Sequence, residues 1–549
     1  MVAMAAGGIC SPVVLIVVLA LSLPMIMEMG AADPVLAPEL QYCHLPIGLP
    51  DGELPFDCCA PNWDKPAIDF QLNETAVGAL RIRRAAHTLD AEYAEKLDRA
   101  YGLMKALPSE DPRSFTQQAN IHCAYCSSAY QMGNSTMPLQ VHASWLFFSF
   151  HRWYLYFHER ILASLLGDDT FALPFWNYDH PDGMTIPHPY MAYPNLTDTL
   201  REPSHLPPAK IMLDYYYMNA SIRTAEEQVA ANLAIIYRMV VSGAPTQYRF
   251  FGQPYRKDDP AEPGYGTMET MPHNSVHGWT GDQNEVGKKD MGTLYAAGRD
   301  PVFYAHHASL DRFWDVWKSL GNDDIDDPDY LNSEFVFYNE NAELIKVKVK
   351  DSLDSAKLGY VYEDVENVWL NWTTPRLSDG VASLTGFEKL CVMGEDLTEP
   401  CSLELSRDKE AALIGDETLL VEGIEGALSV PAHFEAFVNL PVATRATMIN
   451  CTEYAGRFST LAQNIVTNMT GDFLRTSSRF SIGSIVDSLE LNDQESLVVT
   501  LVPNVDSPYA PVRISNLRLQ YETEGLSRHR RQQLLQQRAR ARASKLSQQ

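Results

Sequence analysis

The segment FSFHRWYLYFHERILASLL, residues 148 to 166, is apolar on nearly every face of a helix, so that helix belongs at the centre of a bundle. It carries His151 and His158 with it. Eleven of the fifteen histidines fall between His122 and His307, and chemistry is expected in that third of the chain. Helical periodicity from Ala76 to Leu107, stopped by Pro108, from Ala225 to Val241, from Pro272, and from Asp300 to Leu320 supplies the rest of a core. After residue 326 the period changes to two: SEFVFYNE and ELIKVKVKD read as strands turned at Asn339 to Asn341. The expected fold is a mainly α catalytic domain with a central helix bundle over residues 33–375, its last part (326–375) a capping β segment. A C-terminal β-sandwich follows over 431–523, where HFEAFVN, SLVVTLVP and VRISNLRLQYE alternate or run β-branched. Residues 376–430, richer in Gly, Ser and acidic residues, read as a linker with a processing site. The tail, 524–549, holds seven Lys or Arg after Leu526 and no acid; it is either a solvated end or a segment docked on an acidic body.

A net charge of −27 works against a nucleic-acid partner. Residues 1–32, with the uncharged apolar run Pro12 to Met27 followed by small residues, read as a signal peptide, a retained anchor being the alternative. No later stretch is long and apolar enough to span a membrane, so no stable span is expected after cleavage. Eight cysteines follow Cys10, an even count that suits an oxidising compartment. Adjacent Cys58 and Cys59 cannot readily pair with each other and would tie the N-terminal segment to two partners, Cys43 and Cys123 being favoured. Cys391 and Cys401 flank a short loop that they could close.

His273 and His277, four apart on a helix, can grip one ion. His306 and His307 point about 100° apart, so only one faces a given site; His307 is chosen because Asp311, one turn on, could support it. His142 and His151, nine apart, cannot share a helix face, which places His142 on the loop leading to the helix of His151. His158 is nearly on the face of His151 and competes with it. His122 comes from a separate segment. Six imidazoles set three and three favour copper or zinc over magnesium or calcium. Copper would bind and activate dioxygen, whereas zinc would imply hydrolysis, and ligand type alone leaves both open.

The segments HCAYC (122–126), HASWLFFSFHRWYLYFHERIL (142–162), HNSVHGWTG (273–281) and DPVFYAHHASLDRFW (300–314) resemble the plant-type polyphenol oxidases, the tyrosinase and catechol oxidase group of type 3 copper proteins. PDYLNSEFVFYNENAELIKVKVKD resembles the β segment closing that family's catalytic domain, and residues 433–521 its shielding domain. The resemblance implies two copper ions, the first held by His122, His142 and His151 and the second by His273, His277 and His307. It implies a thioether between Cys126 and His142, and two disulfides among Cys43, Cys58, Cys59 and Cys123. The reaction implied is oxidation of a small phenolic substrate, an o-diphenol, to the o-quinone by dioxygen, with ortho-hydroxylation of monophenols as a further activity in which Glu269 and Asn274 would hold the base. An activating protease would release a latent precursor. Leu294 stands where the family usually places a Phe gate, and a smaller side chain there should admit bulkier phenols. Ser149 and Ser309 also depart from the family pattern. The N-terminus lacks a Ser-rich, Arg-containing transit peptide, which favours the secretory pathway, vacuolar or extracellular, over the plastid lumen. A haemocyanin-like dioxygen carrier and a dinuclear zinc hydrolase are the competing readings.

Overall fold

The computed structural model describes residues 33–46, 57–61, 65–72, 79–133, 137–215, 223–259, 262–285, 288–378, 380, 390–427, 430–460, 473–506 and 509–547; the expected signal peptide lies outside them. The longer helices of the first domain are α1 (Ala91–Lys105), α2 (Phe115–Cys126), α3 (Leu146–Leu166), α4 (Ala225–Tyr237), α5 (Asn274–Thr280) and α6 (Val302–Ser319). α3 is the central one: every residue from Leu146 to Glu159 is buried, and it ends at Gly167, left-handed at φ 67°. Asp90 and Ser114 cap α1 and α2 through the N–H groups of Tyr93 and Gln117, and Thr224 with Glu227 forms a capping box on α4.

Burying α3 on all sides also buries its polar residues, and each one requires a partner. Glu159 takes Arg81 and Arg83 at 2.9 and 2.8 Å. This explains one departure from the periodicity, which placed a helix from Ala76. Arg81–Arg83 is instead a strand paired with Tyr360–Tyr362, because extended backbone sends both arginines to one side, and α1 starts only at Ala91. Another departure is at Pro272: the turn Glu269–His273 precedes α5, with Met271 non-helical at φ −145°.

The capping segment is the antiparallel hairpin β1 (Glu334–Tyr338) and β2 (Leu344–Lys348). Beyond it lies a sandwich of two antiparallel sheets built from β3 (Cys401–Ser406), β4 (Asp416–Ala427), β5 (His433–Val438), β6 (Tyr454–Ser459), β7 (Phe473–Ser481), β8 (Ser496–Asn504) and β9 (Val512–Glu522). Their orders are β6-β5-β8-β3 and β7-β4-β9 with the short strand Asp396–Leu397 at its edge. Leu419, Val421, Ile424, Phe434, Phe458 and Val499 fill the space between. The expected linker, 376–430, is thereby corrected: residues 401–406 and 416–427 are strands, with a short helix at 409–412 between them, β4 lies between two neighbours in its sheet, and Cys391 is bonded to Cys401. Gly and acidic content misled there, because the acidic side chains of Glu422 and Glu425 pair across the sheet with Arg518 and Arg475. The tail forms a helix, α7 (Arg528–Ser547), which docks instead of standing free. Cys43 is bonded to Cys59 and Cys58 to Cys123. Among the described residues no helix is long and apolar enough to cross a membrane.

His433 on β5 is 4% exposed, with Nε2 3.5 Å from Glu435 Oε1. Burial, followed by the charge of Arg457, lowers it to about 4. An imidazole held neutral in the fold but free to protonate near 6.5 when unfolded adds stability above that pH, and the contribution is lost as pH falls toward about 4. The sandwich should therefore lose on the order of 3 kcal/mol across that window, and His433→Gln should flatten the profile in denaturant titrations; parallel profiles would refute this.

Candidate metal centre

Six elements bring the histidines together. α2 carries His122, α3 carries His151, and the loop before α3, with Ala143 at φ 51°, carries His142. The turn before α5 and α5 itself carry His273 and His277, and α6 carries His306 and His307. Ligating atoms of His122, Cys126, His142 and His151 all lie within 4.8 Å of one another, as do those of His273, His277, His306 and His307. The two groups adjoin: the His151 and His307 rings stack at 4.1 Å, and His142 and His273 are 5.4 Å apart.

Hydrogen bonds set the tautomers. Nδ1 of His122 pairs with the Leu294 carbonyl at 2.7 Å, that of His151 with the Phe147 carbonyl at 2.8 Å, and that of His277 with the Met291 carbonyl at 2.7 Å. His142 uses Gln140 Oε1 at 3.1 Å and His273 uses Asn274 Oδ1 at 2.9 Å. In every case the acceptor takes the Nδ1 proton, so Nε2 is left with its lone pair, and all five Nε2 atoms are buried with no partner among the described residues. Five such orphans facing one another would be costly unless a cation takes them. Burial holds these histidines below their usual range, with neighbouring imidazoles adding to it for His122, His142, His151 and His273; His151 is lowered to about 3 and His277 to about 4. They are thus neutral, the form that binds a metal. The donor set, imidazole nitrogen without carboxylate, fits copper.

His158 is excluded as a competitor, because its two nitrogens are taken by Gln118 Oε1 and the Tyr101 hydroxyl, both at 3.2 Å. Among the described residues, neither ring nitrogen of His306 or of His307 has a hydrogen-bond partner. Only His307 contacts the rings of His122 and His151; His306 points away, with Tyr178 at 5.8 Å. Asp311 does not support His307 as expected. Its carboxylate is used by Arg152, Arg83, Tyr360 and Tyr362, charges that α3 and the N-terminal strand bring inside. Ser309 donates to the backbone carbonyls of Trp176 and Ala305 and takes no part in orienting His307.

Glu269 is fully buried; Oε1 accepts the Ala143 N–H at 2.6 Å and Oε2 has no partner among the described residues. Burial, followed in part by Glu262, pushes its carboxyl well above the usual range. Asn274 has both ends of its amide engaged, Oδ1 with His273 and Nδ2 with the Ser459 carbonyl of β6 at 3.4 Å. Strand β6 of the sandwich thus reaches the metal-site turn. Leu294 is 5% exposed. Sequence reasoning missed Gln140, whose amide joins the Cys126 carbonyl to His142. It also missed the segment from Met291 to Leu294, whose carbonyls orient one histidine of each group. Backbone acceptors have no side-chain signature; Gln140, two residues before His142, was the one visible sign.

Family profiles match the common central domain of tyrosinase at residues 112–320, the polyphenol oxidase middle domain at 324–375, and the chloroplastic polyphenol oxidase C-terminal domain at 398–521. The chain is 41% identical to aureusidin synthase of Antirrhinum majus, covering 90% of each, and 42% identical to a chloroplastic polyphenol oxidase of Malus domestica, covering 89% of this chain and 85% of the relative. The solved structure of latent apple tyrosinase superposes with a TM-score of 0.77 at 41% identity, over 83% of this chain and 100% of that one. These findings overturn the secretory, vacuolar or extracellular location: the relatives from Malus domestica, Vitis vinifera and Vicia faba, and the C-terminal profile, are named chloroplastic and point to the plastid. An apolar N-terminal run was too weak a signal to set against that.

Proposed function

The chain belongs to the plant polyphenol oxidases of the tyrosinase family, and from that membership and the geometry above we propose that His122, His142 and His151 hold one copper and His273, His277 and His307 the other. The observation that carries this is the set of orphaned Nε2 atoms; five of them, all but that of His307, sit on rings fixed by an acceptor at Nδ1. When bound, the copper pair supplies the oxidation of o-diphenols to o-quinones with dioxygen reduced to water. The chain's own residues bury and orient. Phe303, 4.2 Å from His307 and 4.8 Å from His122, helps keep water from the space between the groups. Glu269, buried and with Oε2 unpartnered among the described residues, is placed to take a phenol proton at Oε2, which a monophenol would require. Cys126, a buried thiol in the first histidine group, is the partner for a thioether to His142 that would restrain that ligand. The sandwich makes the chain a latent precursor, and proteolysis between residues 376 and 390 is proposed to release it. A dioxygen carrier and a zinc hydrolase are not favoured, since relatives spanning most of the chain are named as oxidases and hydroxylases.

Oxygen uptake by the trimmed protein with a catechol and its matching monophenol should depend on bound copper and vanish on chelation; zinc without copper in the purified protein would refute the reading. Glu269→Gln should depress monophenol hydroxylation about 100-fold while sparing diphenol oxidation, the scale of one positioned base. Equal losses on both substrates would remove Glu269 from that role. Leu294→Phe should lower the preference for bulky over small phenols about ten-fold in kcat/KM, and an unchanged ratio would dispose of the gate.

A further inference from the structure

The basic segment after Leu526 has no part in the copper chemistry, and the C-terminal family match ends before it, at residue 521. In the structure it is wedged where the catalytic domain and the sandwich meet. Leu526 bridges to Thr246 of the catalytic domain, and the Ser527 N–H donates to the Pro245 carbonyl at 2.6 Å. One turn on, Arg530 crosses to the sandwich: Nε lies 2.7 Å from Asp416 on β4, and Nη1 lies 3.2 Å from Asp487. Arg530 is 4% exposed and Asp416 0%. Position 483 is glycine at their contact, where a Cβ would stand 1.9 Å from Arg530 Nη2. Further along α7, Gln537 donates to Asp487, and Arg538 to the Leu413 carbonyl.

A solvated tail has no use for a buried ion pair. Each buried charge is tolerable only with the other in place, so the tail's first turn is a specific part of the closed form. Burial, with Glu522 adding to it, pushes the Asp416 carboxyl up, and Arg530 opposes it. The strand that reaches the copper-site turn, β6, belongs to the same sandwich that α7 grips, and Arg238 of the catalytic domain donates to its Ala455 carbonyl.

We propose that α7 is a clasp that fastens the sandwich over the catalytic domain, so that losing the tail opens the copper site with the linker uncut. This rests on the reading of the sandwich as a cover. The test compares three copper-loaded proteins: the full chain, the full chain trimmed between 376 and 390, and a chain ending at Glu524 that carries Asp416→Asn, which removes the charge otherwise left bare. The tail-less chain should oxidise a catechol about ten-fold faster than the full chain, equivalent to losing roughly 1.4 kcal/mol of fastening, and the amide hydrogens of α5 should exchange faster. Latency and exchange equal to the full chain, with the trimmed protein active, would overturn the clasp. Trimming that raises no activity would instead overturn the cover. Should the sandwich itself unfold without its tail, seen as lost protection throughout β4 and β9, Arg530→Gln with Asp416→Asn in the full-length chain decides: a gain of activity with β4 still protected is expected, and no gain refutes the proposal.

Discussion

Replacing His307 by alanine is expected to lower bound copper from two toward one per chain and catechol oxidation at least about 1,000-fold, some 4 kcal/mol of barrier, while His306→Gln keeps both coppers. The two side chains are neighbours on α6 and equally buried, and both belong to the second histidine group. What separates them is direction. The His307 ring stacks on His151 and closes on Phe303, between the two groups, whereas His306 lies behind His273 and His277. Metal analysis of both variants after copper loading is the direct measurement, with activity read on the trimmed protein. Copper lost from His306→Gln and retained in His307→Ala would reverse the assignment. Retention in both would mean that the second copper is held without this helix.

Asp311→Asn should destabilise the catalytic domain by about 3–5 kcal/mol, the cost of leaving buried charge unpaired. Asp311 sits at the crossing of α3, α6 and the N-terminal strand. One oxygen is bonded by Arg152; the other accepts from Arg83 at 3.1 Å and from the hydroxyls of Tyr360 and Tyr362, both at 2.6 Å. Arg83 and Arg152 are both 0% exposed, stacked over Tyr360 and Trp314. Against a burial that would raise it, the two arginines hold the Asp311 carboxyl below its usual range. Its stabilising effect is therefore present above the ordinary carboxylate range and lost as pH falls through the lowered value. Chemical denaturation at neutral pH, followed by tryptophan fluorescence, measures the loss. The folded fraction should still bind two coppers, since Asp311 does not touch His307. A change under about 1 kcal/mol, against the several expected for a broken buried pair, would show that the network is dispensable.

Much of the histidine clustering was legible because a metal site would need side chains of one kind at spacings that helix geometry dictates. His273 and His277 declared themselves by their four-residue spacing, and His142 had to be off the helix of His151 because nine residues turn a helix half-way round. The resemblance supplied what spacing could not, above all the role offered for Cys126. The pattern was less informative where charge had a hidden partner. Acidic residues at 416–427 looked like a solvated linker, yet they form a strand whose Asp416 and Glu417 meet Arg530 and Arg407 inside the protein.

By itself the sequence determined a buried central helix, because nothing else can be done with so apolar a run, and a pair of histidine sets near it, because a helix repeats its faces regularly. It also determined a β region at the C-terminus through its two-residue alternation. Tertiary structure alone decided which of His306 and His307 faces the other group, what Asp311 does, and where the tail goes. Those outcomes depend on partners far away in the chain and often on backbone carbonyls, and a carbonyl oxygen is the same at every residue until folding gives it a position.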